Sequence, residues 1–324
     1  MSMCFQDYLE MVRPRLDDAF ERELSNLLRN ITIKDTSSLM LAIEGGKKIR
    51  GCLSCMVSDA LGGVLESAIP RAVAVELIQA ATLIHDDFVD QDTIRRNRPA
   101  VWTVEGARGA VLIGDIIFAT AIKMMSNLSR EDTLAVSHAI AQVSKGALRE
   151  PLDPLGLANE IESNRFSGQL YENIIHLKTG ILFGTACRLG AIAAEASQEL
   201  RKISYRYGLR IGEAYQIADD LKDVKEHLSR QSILPEQVVI LAPALLRFID
   251  DTRPLIPDFL RGKHTDLKGP MLEFFSAATD LMENEIEHRL QAAVSEIEEN
   301  FPDNAYSELT RMAPREIIKM FNES

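Results

Sequence analysis

Apolar side chains recur every three or four positions along most of the chain, as from Ala72 to Val89, Ala110 to Met125, Leu177 to Ala194 and Tyr207 to Leu221. That spacing gathers them on one helical face and predicts amphipathic α-helices, while the period-two alternation of half-buried strands is nearly absent. Prolines punctuate these stretches at Pro70, Pro99, Pro151, Pro154, Pro235, Pro254, Pro257, Pro270, Pro302 and Pro314. Because proline lacks an amide hydrogen and clashes with the preceding turn, they are expected to divide the chain into roughly ten or more helices. The pattern predicts an all-α bundle. No composition shift, low-complexity linker or fixed-period repeat marks a boundary, so residues 1–324 are expected to form a single domain, with 235–270 loop-rich.

With 46% hydrophobic and 26% charged residues, the chain has ample material for a large core. A formal net charge of −12 argues against nucleic acid as a partner, since binding a phosphate backbone needs a surplus of Lys and Arg on one face. Any anionic substrate must therefore meet a local basic pocket. The first residues carry early acids without a basic-then-apolar layout, and no apolar run approaches the roughly 20 residues that span a bilayer. A cytoplasmic protein with no membrane span is expected. Of Cys4, Cys52, Cys55 and Cys187, only Cys52 and Cys55 have C-x-x-C spacing. No second pair or nearby histidine completes a zinc site, so these two are read as packing residues.

The candidate chemistry lies in two Asp-Asp-x-x-Asp clusters, Asp86/Asp87/Asp90 and Asp219/Asp220/Asp223. One such cluster arises by chance roughly 0.1 times in a chain of this kind, so the second copy carries the weight. On a helix Asp86 and Asp90 share a face while Asp87 points about 100° away, and Asp219 and Asp223 repeat the arrangement. Both clusters follow apolar stretches and are read as lying toward helix C-termini, where the dipole disfavours negative charge and a cation would compensate. Carboxylates without Cys or His partners select hard cations, and Mg²⁺ is usually held by one or two carboxylates together with phosphate oxygens. A metal–diphosphate complex is the expected ligand.

Basic residues stand close by. Arg95-Arg96, in the segment RRNRP, begin five residues after Asp90, and Gly45-Gly46-Lys47-Lys48-Ile49-Arg50 stand near the start of a helix. Guanidinium and ammonium groups bind diphosphate oxygens without metal, so this acidic chain reads as built for two anions, one held through metal and one directly. His176-Leu177-Lys178-Thr179-Gly180 and the stretch from Gly212 to Gln216 supply further polar groups.

Taken in order, GGKKIR, QAATLIHDDFVDQDTIRRNRP, Gly114-Asp115, Lys178-Thr179-Gly180 and GEAYQIADDLKD resemble the trans-prenyl (polyprenyl) diphosphate synthases, a family that includes farnesyl and geranylgeranyl diphosphate synthases. The likeness covers about residues 41–225. It implies an all-α isoprenoid-synthase-type bundle around a central cavity, with both aspartate motifs binding Mg²⁺ on the diphosphate of an allylic substrate. By position, Asp86, Asp90, Asp219 and Asp223 would be the metal ligands, with Asp87 and Asp220 assisting. Lys47, Arg50, Gln79 and Arg96 would bind isopentenyl diphosphate, while Arg95, Lys178, Thr179 and Gln216 would reach the allylic substrate. The resemblance further implies two or three Mg²⁺ ions, with Mn²⁺ as a substitute, and a homodimer. The expected reaction is condensation of isopentenyl diphosphate with an allylic diphosphate. Metal and cations stabilise the departing diphosphate, the isopentenyl double bond attacks the allylic cation, and no protein nucleophile is needed. His85 is read as a packing residue rather than a general base.

The chain departs from the family pattern downstream. Asp258-Phe-Leu-Arg-Gly262-Lys263-His-Thr265 reproduces an expected Asp-x-x-x-Gly-Lys-x-Thr segment and makes Lys263 a further diphosphate ligand. The Gly-Lys pair that usually precedes it is missing, and an insertion at about 228–257 stands in its place. That leaves one allylic-diphosphate lysine unassigned, with Lys222, Lys225 or no residue at all in its place. Trp102 occupies a place where histidine is common.

If the aspartates hold the diphosphate, the growing chain runs along the apolar face before Asp86, past Ala81 and Thr82, then Ile78, then Val75. A helical turn rises about 5.4 Å, close to one isoprene unit, so with no aromatic at the first turn products of about twenty to thirty-five carbons are expected. Phe118 is a candidate deeper stop. Two alternatives are a noncatalytic or regulatory subunit of a heteromeric synthase and a class I terpene cyclase. Intact aspartate motifs weigh against the first, and the Asp-rich second motif with GGKKIR against the second. A di-iron carboxylate bundle would need repeated Glu-x-x-His pairs, and only Glu285-x-x-His288 is found.

Overall fold

The computed structural model describes residues 3–29 and 46–322. Gly45 of the GGKKIR segment lies outside the described residues. Among these the chain is almost wholly helical, with a single two-stranded ladder. The helices are α1 (Phe5–Leu28), α2 (Ile49–Ala60), α3 (Leu65–Val89), α4 (Val101–Ser126), α5 (Arg130–Ala147), α6 (Pro154–Glu162), α7 (Leu170–Ile174), α8 (Ile181–Ala193), α9 (Gln198–Arg230), α10 (Pro235–Phe248), α11 (Ile256–Leu260), α12 (Pro270–Glu298) and α13 (Ala305–Asn322). A π-helical turn, Ile175–Gly180, runs directly on from α7. The chain divides into two compact units. Unit 1 comprises residues 1–141, 182–209 and 294–317, and unit 2 comprises 142–181, 210–293 and 318–324.

In unit 1, α3 packs against α1, α2 and α4. Its face Ala74, Leu77, Ile78 and Ala81 has no exposed surface, and each fully buried Leu or Ile side chain contributes about 1.5–3 kcal/mol. Pro70 does not break α3, contrary to expectation. It stands at the sixth helical residue, where the ring removes one backbone hydrogen bond while the buried face beyond it continues. Pro314 is likewise inside α13. By contrast Pro154 and Pro235 open α6 and α10, where the missing amide hydrogen has no helical partner to lose. Cys52 and Cys55 are buried, and burial pushes both thiols well above their ordinary values, which fits packing residues.

Unit 2 corrects the expectation that 235–270 is loop-rich. The segment PEQVVILAPALLRF forms α10, opened by Pro235 and by Gln237, whose side chain accepts the Leu234 amide at 2.9 Å. Val238, Leu241, Ala242 and Leu245 are buried in one core with Ile217, Leu221 and Val224 of α9 and Phe275 and Met282 of α12. The ends of this excursion are tied together. Ile233 donates to the Thr265 carbonyl at 2.8 Å and Leu267 to the Gln231 carbonyl at 2.9 Å.

The reading that no run approaches membrane-spanning length is also corrected, because α3 and α4 are each long and apolar enough by composition to cross a bilayer. Scattered charges hid this in the sequence: a helical window tolerates a few, whereas an unbroken run does not. In α3 the apolar window is 61% buried, so its side chains are spent on the core; in α4 it is 33% buried, leaving Val111 and Leu112 exposed.

Candidate functional site

The first aspartate motif ends α3, where Asp90 is the C-cap and its amide bonds the Asp86 carbonyl at 2.8 Å. Asp87 is 2% exposed, Asp86 partly exposed and Asp90 exposed. The helical geometry that sends Asp87 to a different face thus separates one anchored carboxylate from two presented ones. Asp87 accepts from the Arg95 guanidinium through Nε at 2.7 Å and through Nη2. Arg95 lies on β1 (Ile94–Arg95), which pairs with β2 (Arg98–Pro99). The intervening Arg96 and Asn97 have φ of 52° and 62°, the paired positive values of a two-residue hairpin turn. Trp102 stays this loop by donating to the Asp92 carbonyl at 2.6 Å and packing edge-on against Phe88.

The hairpin brings Arg96 to the GGKKIR segment. Gly46 has φ 100°, which favours glycine, and the Arg96 guanidinium lies close enough that a Cβ there would stand 2.7 Å from Nη2 and displace it. Lys48 is buried with its ammonium 3.4 Å from the Phe20 ring centroid, and burial lowers its pKa. Lys47, Arg50 and Gln79 each keep some exposed surface, and the Arg50 guanidinium lies 4.4 Å from the Phe183 ring centroid. Arg96, Gly46 and the Lys47–Arg50 segment therefore form one basic region of unit 1.

His85 packs as expected. Its Nε2 lies 3.0 Å from the Val111 carbonyl, its ring meets Phe118 edge-on, and a Cβ on Gly114 would overlap the ring. Gly114→Ala is expected to destabilise unit 1 by about 1–3 kcal/mol in denaturant unfolding, as overpacking does. In a His85→Ala background the same change should be nearly neutral; an equal cost in both backgrounds would refute the contact. The chain-length residues divide. Val75, Ile78 and Ala81 have 0% exposure and so pack within unit 1 rather than border open space, whereas Thr82 and Phe118 keep exposed surface.

In unit 2 the second motif is not at a helix end, as expected from the sequence, because α9 continues to Arg230. Leu221, Val224 and Leu228 keep the apolar spacing, and Glu226 pairs with Arg230 one turn later at 2.5 Å. Asp219 and Asp223 are exposed. Asp220 instead accepts from the Tyr171 hydroxyl at 2.6 Å and from Gln216 Nε2 at 3.1 Å. Burial, with the neighbouring Asp219 charge, pushes Asp220 up to about 7, and the same two causes push Asp223 up to about 6. Three crowded acids on one helix therefore call for a cation, and their donor set is all oxygen.

Thr179 donates to Gln216 Oε1 at 2.6 Å, and Lys178 Nζ is held by Glu150 at 2.5 Å. Lys263 follows Gly262, whose φ of 68° lets the chain leave α11, and pairs with Asp258 at 2.6 Å. Lys225 is engaged with Glu283 at 2.6 Å and Lys222 lies 5.5 Å from the Phe321 ring centroid. Tyr171 and Glu150 were missed by sequence reasoning; neither lies within an aspartate or basic cluster. A cavity of 690 Å³ in unit 1, with Arg188, Arg201 and Tyr205 in its wall, includes none of the motif residues. Among the described residues no three acidic, His or Cys side chains are already gathered on one metal position.

The polyprenyl synthetase family profile matches residues 34–231. Geranylgeranyl diphosphate synthase of Methanosarcina mazei is 34% identical over 189 residues, 58% of this chain and 58% of that protein. Geranylfarnesyl diphosphate synthase of Aeropyrum pernix is 34% identical over 199 residues, covering 58% and 60%. The chain thus spans about three fifths of the length of these curated relatives. A crystal structure of geranylgeranyl pyrophosphate synthase from Corynebacterium glutamicum, complexed with calcium and isoprenyl diphosphate, superposes with TM-score 0.67 at 26% identity over 96% of this chain and 97% of that one. Because the profile takes in both aspartate motifs, the basic segment before them and more than half of the chain, this protein belongs to the polyprenyl synthetase family.

Proposed function

We propose that the protein is a Mg²⁺-dependent prenyltransferase that condenses isopentenyl diphosphate with an allylic diphosphate to give a trans-prenyl diphosphate of about twenty carbons or more. The observation that carries this is the carboxylate crowding on α9, where Asp219 and Asp223 are exposed and burial together with the charge of Asp219 raises both Asp220 and Asp223. Asp86, Asp90, Asp219 and Asp223 would hold about two or three Mg²⁺ ions, with Mn²⁺ a substitute of the same hard-donor preference. When bound, the metal neutralises charge on the departing diphosphate.

Lys47, Arg50, Gln79 and Arg96 bind isopentenyl diphosphate directly, and Thr179, Gln216 and Lys263 receive the allylic diphosphate. Lys178 joins them by leaving Glu150, and Arg95 by leaving Asp87, so substrate competes with two ion pairs. The proton released after condensation goes to the freed diphosphate. The exposed Val111 (40%) and Leu112 (47%) on α4 support a homodimer that covers them.

Purified protein with Mg²⁺, labelled isopentenyl diphosphate and each allylic primer in turn should yield an elongated product that chelation abolishes. No product with any primer would put the noncatalytic-subunit reading first. Because Asp220 and Asp223 titrate near neutrality, metal loading is also expected to release protons. Affinity for Mg²⁺–diphosphate should fall as pH falls from about 8 to 6. Calorimetry at pH 7 in two buffers of different ionisation enthalpy reads the release, and identical heats would contradict it.

A further inference from the structure

The most heavily paired buried cation of unit 2 lies well outside the aspartate motifs and belongs to no motif of the sequence. Arg289 of α12 is 7% exposed. Its Nη1 donates to Glu213 at 2.5 Å, its Nη2 to Glu172 at 2.7 Å and its Nε to Glu285 at 2.7 Å. Burial opposes its charge, yet Glu213 and Glu172 outweigh that and raise its pKa. Glu285 shares its helix; the other two acids come from α7 and α9.

Those two acids sit beside the proposed allylic-diphosphate residues. Glu213 precedes Gln216 by one helical turn on α9, and its other oxygen lies 3.0 Å from His176 Nδ1 in the π-turn. Glu172 follows Tyr171, the partner of Asp220, and its second oxygen accepts from Arg247 of α10 at 2.9 Å. Contacts that join α7 and the π-turn to α9 include Tyr171 to Asp220, His176 to Glu213 and Thr179 to Gln216. Arg289 bridges both sides of that seam. Without the guanidinium Glu213 would fall back on His176 and on Arg210, whose Nη1 lies 3.3 Å away, and Glu172 on Arg247, so the direct bridge between the two acids would be lost. π-helical turns are rare and recur at functional sites, so a contact that holds this one in place bears on the site.

We infer that Arg289 is a positioning residue that clamps α7 and the π-turn to α9, and so fixes Thr179, Gln216 and Asp220 for the allylic diphosphate. The inference rests on the proposed prenyltransfer for its substrate, though not for its clamp. It also assigns a use to α10, whose Arg247 completes the set by holding Glu172.

The test is Arg289→Met in the full-length protein. Hydrogen exchange at the amides of residues 175–180 should accelerate by about 10-fold or more, with unit 1 amides unchanged. Affinity for Mg²⁺ with inorganic diphosphate should weaken about 10- to 100-fold, the range for residues that orient a metal's ligands. In turnover, KM for the allylic substrate should rise with KM for isopentenyl diphosphate unchanged. Arg289→Lys, which keeps the charge but not the three-way fork, should recover part of each effect. If Arg289→Met fails to fold, Glu172→Gln removes one arm and should give the same local changes on a smaller scale. Unaltered exchange at 175–180, or loss spread equally over both KM values, would overturn the clamp. A wild type that makes no product sinks the proposed function alone, because exchange and diphosphate binding still read the clamp.

Discussion

Asp219→Ala is expected to lower the rate of prenyl transfer by more than about 100-fold at fixed Mg²⁺, since residues that merely orient metal ligands already cost 10- to 100-fold. Stability should stay within about 0.5 kcal/mol, because Asp219 is exposed and its charge burdens its neighbours. Removing it should lower Asp220 and Asp223 only in part, because burial, the larger cause of both shifts, remains. Asp220→Ala makes the contrast. It strips the acceptor from the buried Tyr171 hydroxyl, a loss of about 1–3 kcal/mol, and should therefore reduce stability as well as rate. Steady-state kinetics across a Mg²⁺ titration, with denaturant unfolding of both variants, separate the two roles. If Asp219→Ala keeps more than a tenth of wild-type activity at saturating Mg²⁺, the metal assignment on α9 is wrong.

That contrast follows a division in what the sequence could reveal. Spacing placed Asp86 with Asp90 and Asp219 with Asp223 on shared helical faces, and it set Asp87 and Asp220 apart, because helix periodicity is local and needs no tertiary knowledge. What holds Asp87 and Asp220 was less legible. Arg95 reaches back to Asp87 only because Arg96 and Asn97 adopt a left-handed turn, and Tyr171 meets Asp220 across 49 positions of sequence. At Pro70 a lost hydrogen bond is minor against a continuous buried face, which proline alone does not reveal. In 235–270 the prolines mask the helical apolar spacing of Val238, Leu241 and Leu245. Arg289 left no trace in any motif, since its three acids are drawn from three helices.

Thr82→Phe is expected to shorten the product, replacing chains of about twenty carbons or more with fifteen-carbon prenyl diphosphate, because one helical turn of about 5.4 Å corresponds to one isoprene unit. Thr82 stands one turn before Asp86 on the same face as Gln79, keeps exposed surface, and its hydroxyl is turned back to the Gln79 carbonyl at 2.9 Å. Because Thr82 is partly exposed, a phenyl ring there should displace less of the core than one at a fully buried position. Ala81 cannot accept one so readily. With 0% exposure, Ala81→Phe must push its neighbours apart at a cost of about 1–3 kcal/mol, and any shortening would come with lost stability. If Phe118, held edge-on by His85, is the deeper stop, Phe118→Ala should lengthen the product while Thr82→Phe shortens it. Mass spectrometry of the products of all three variants, beside unfolding curves, decides the matter. A wild-type product of fifteen carbons would overturn the chain-length reading outright, and shortening by Ala81→Phe without loss of stability would move the floor back from Thr82 to Ala81.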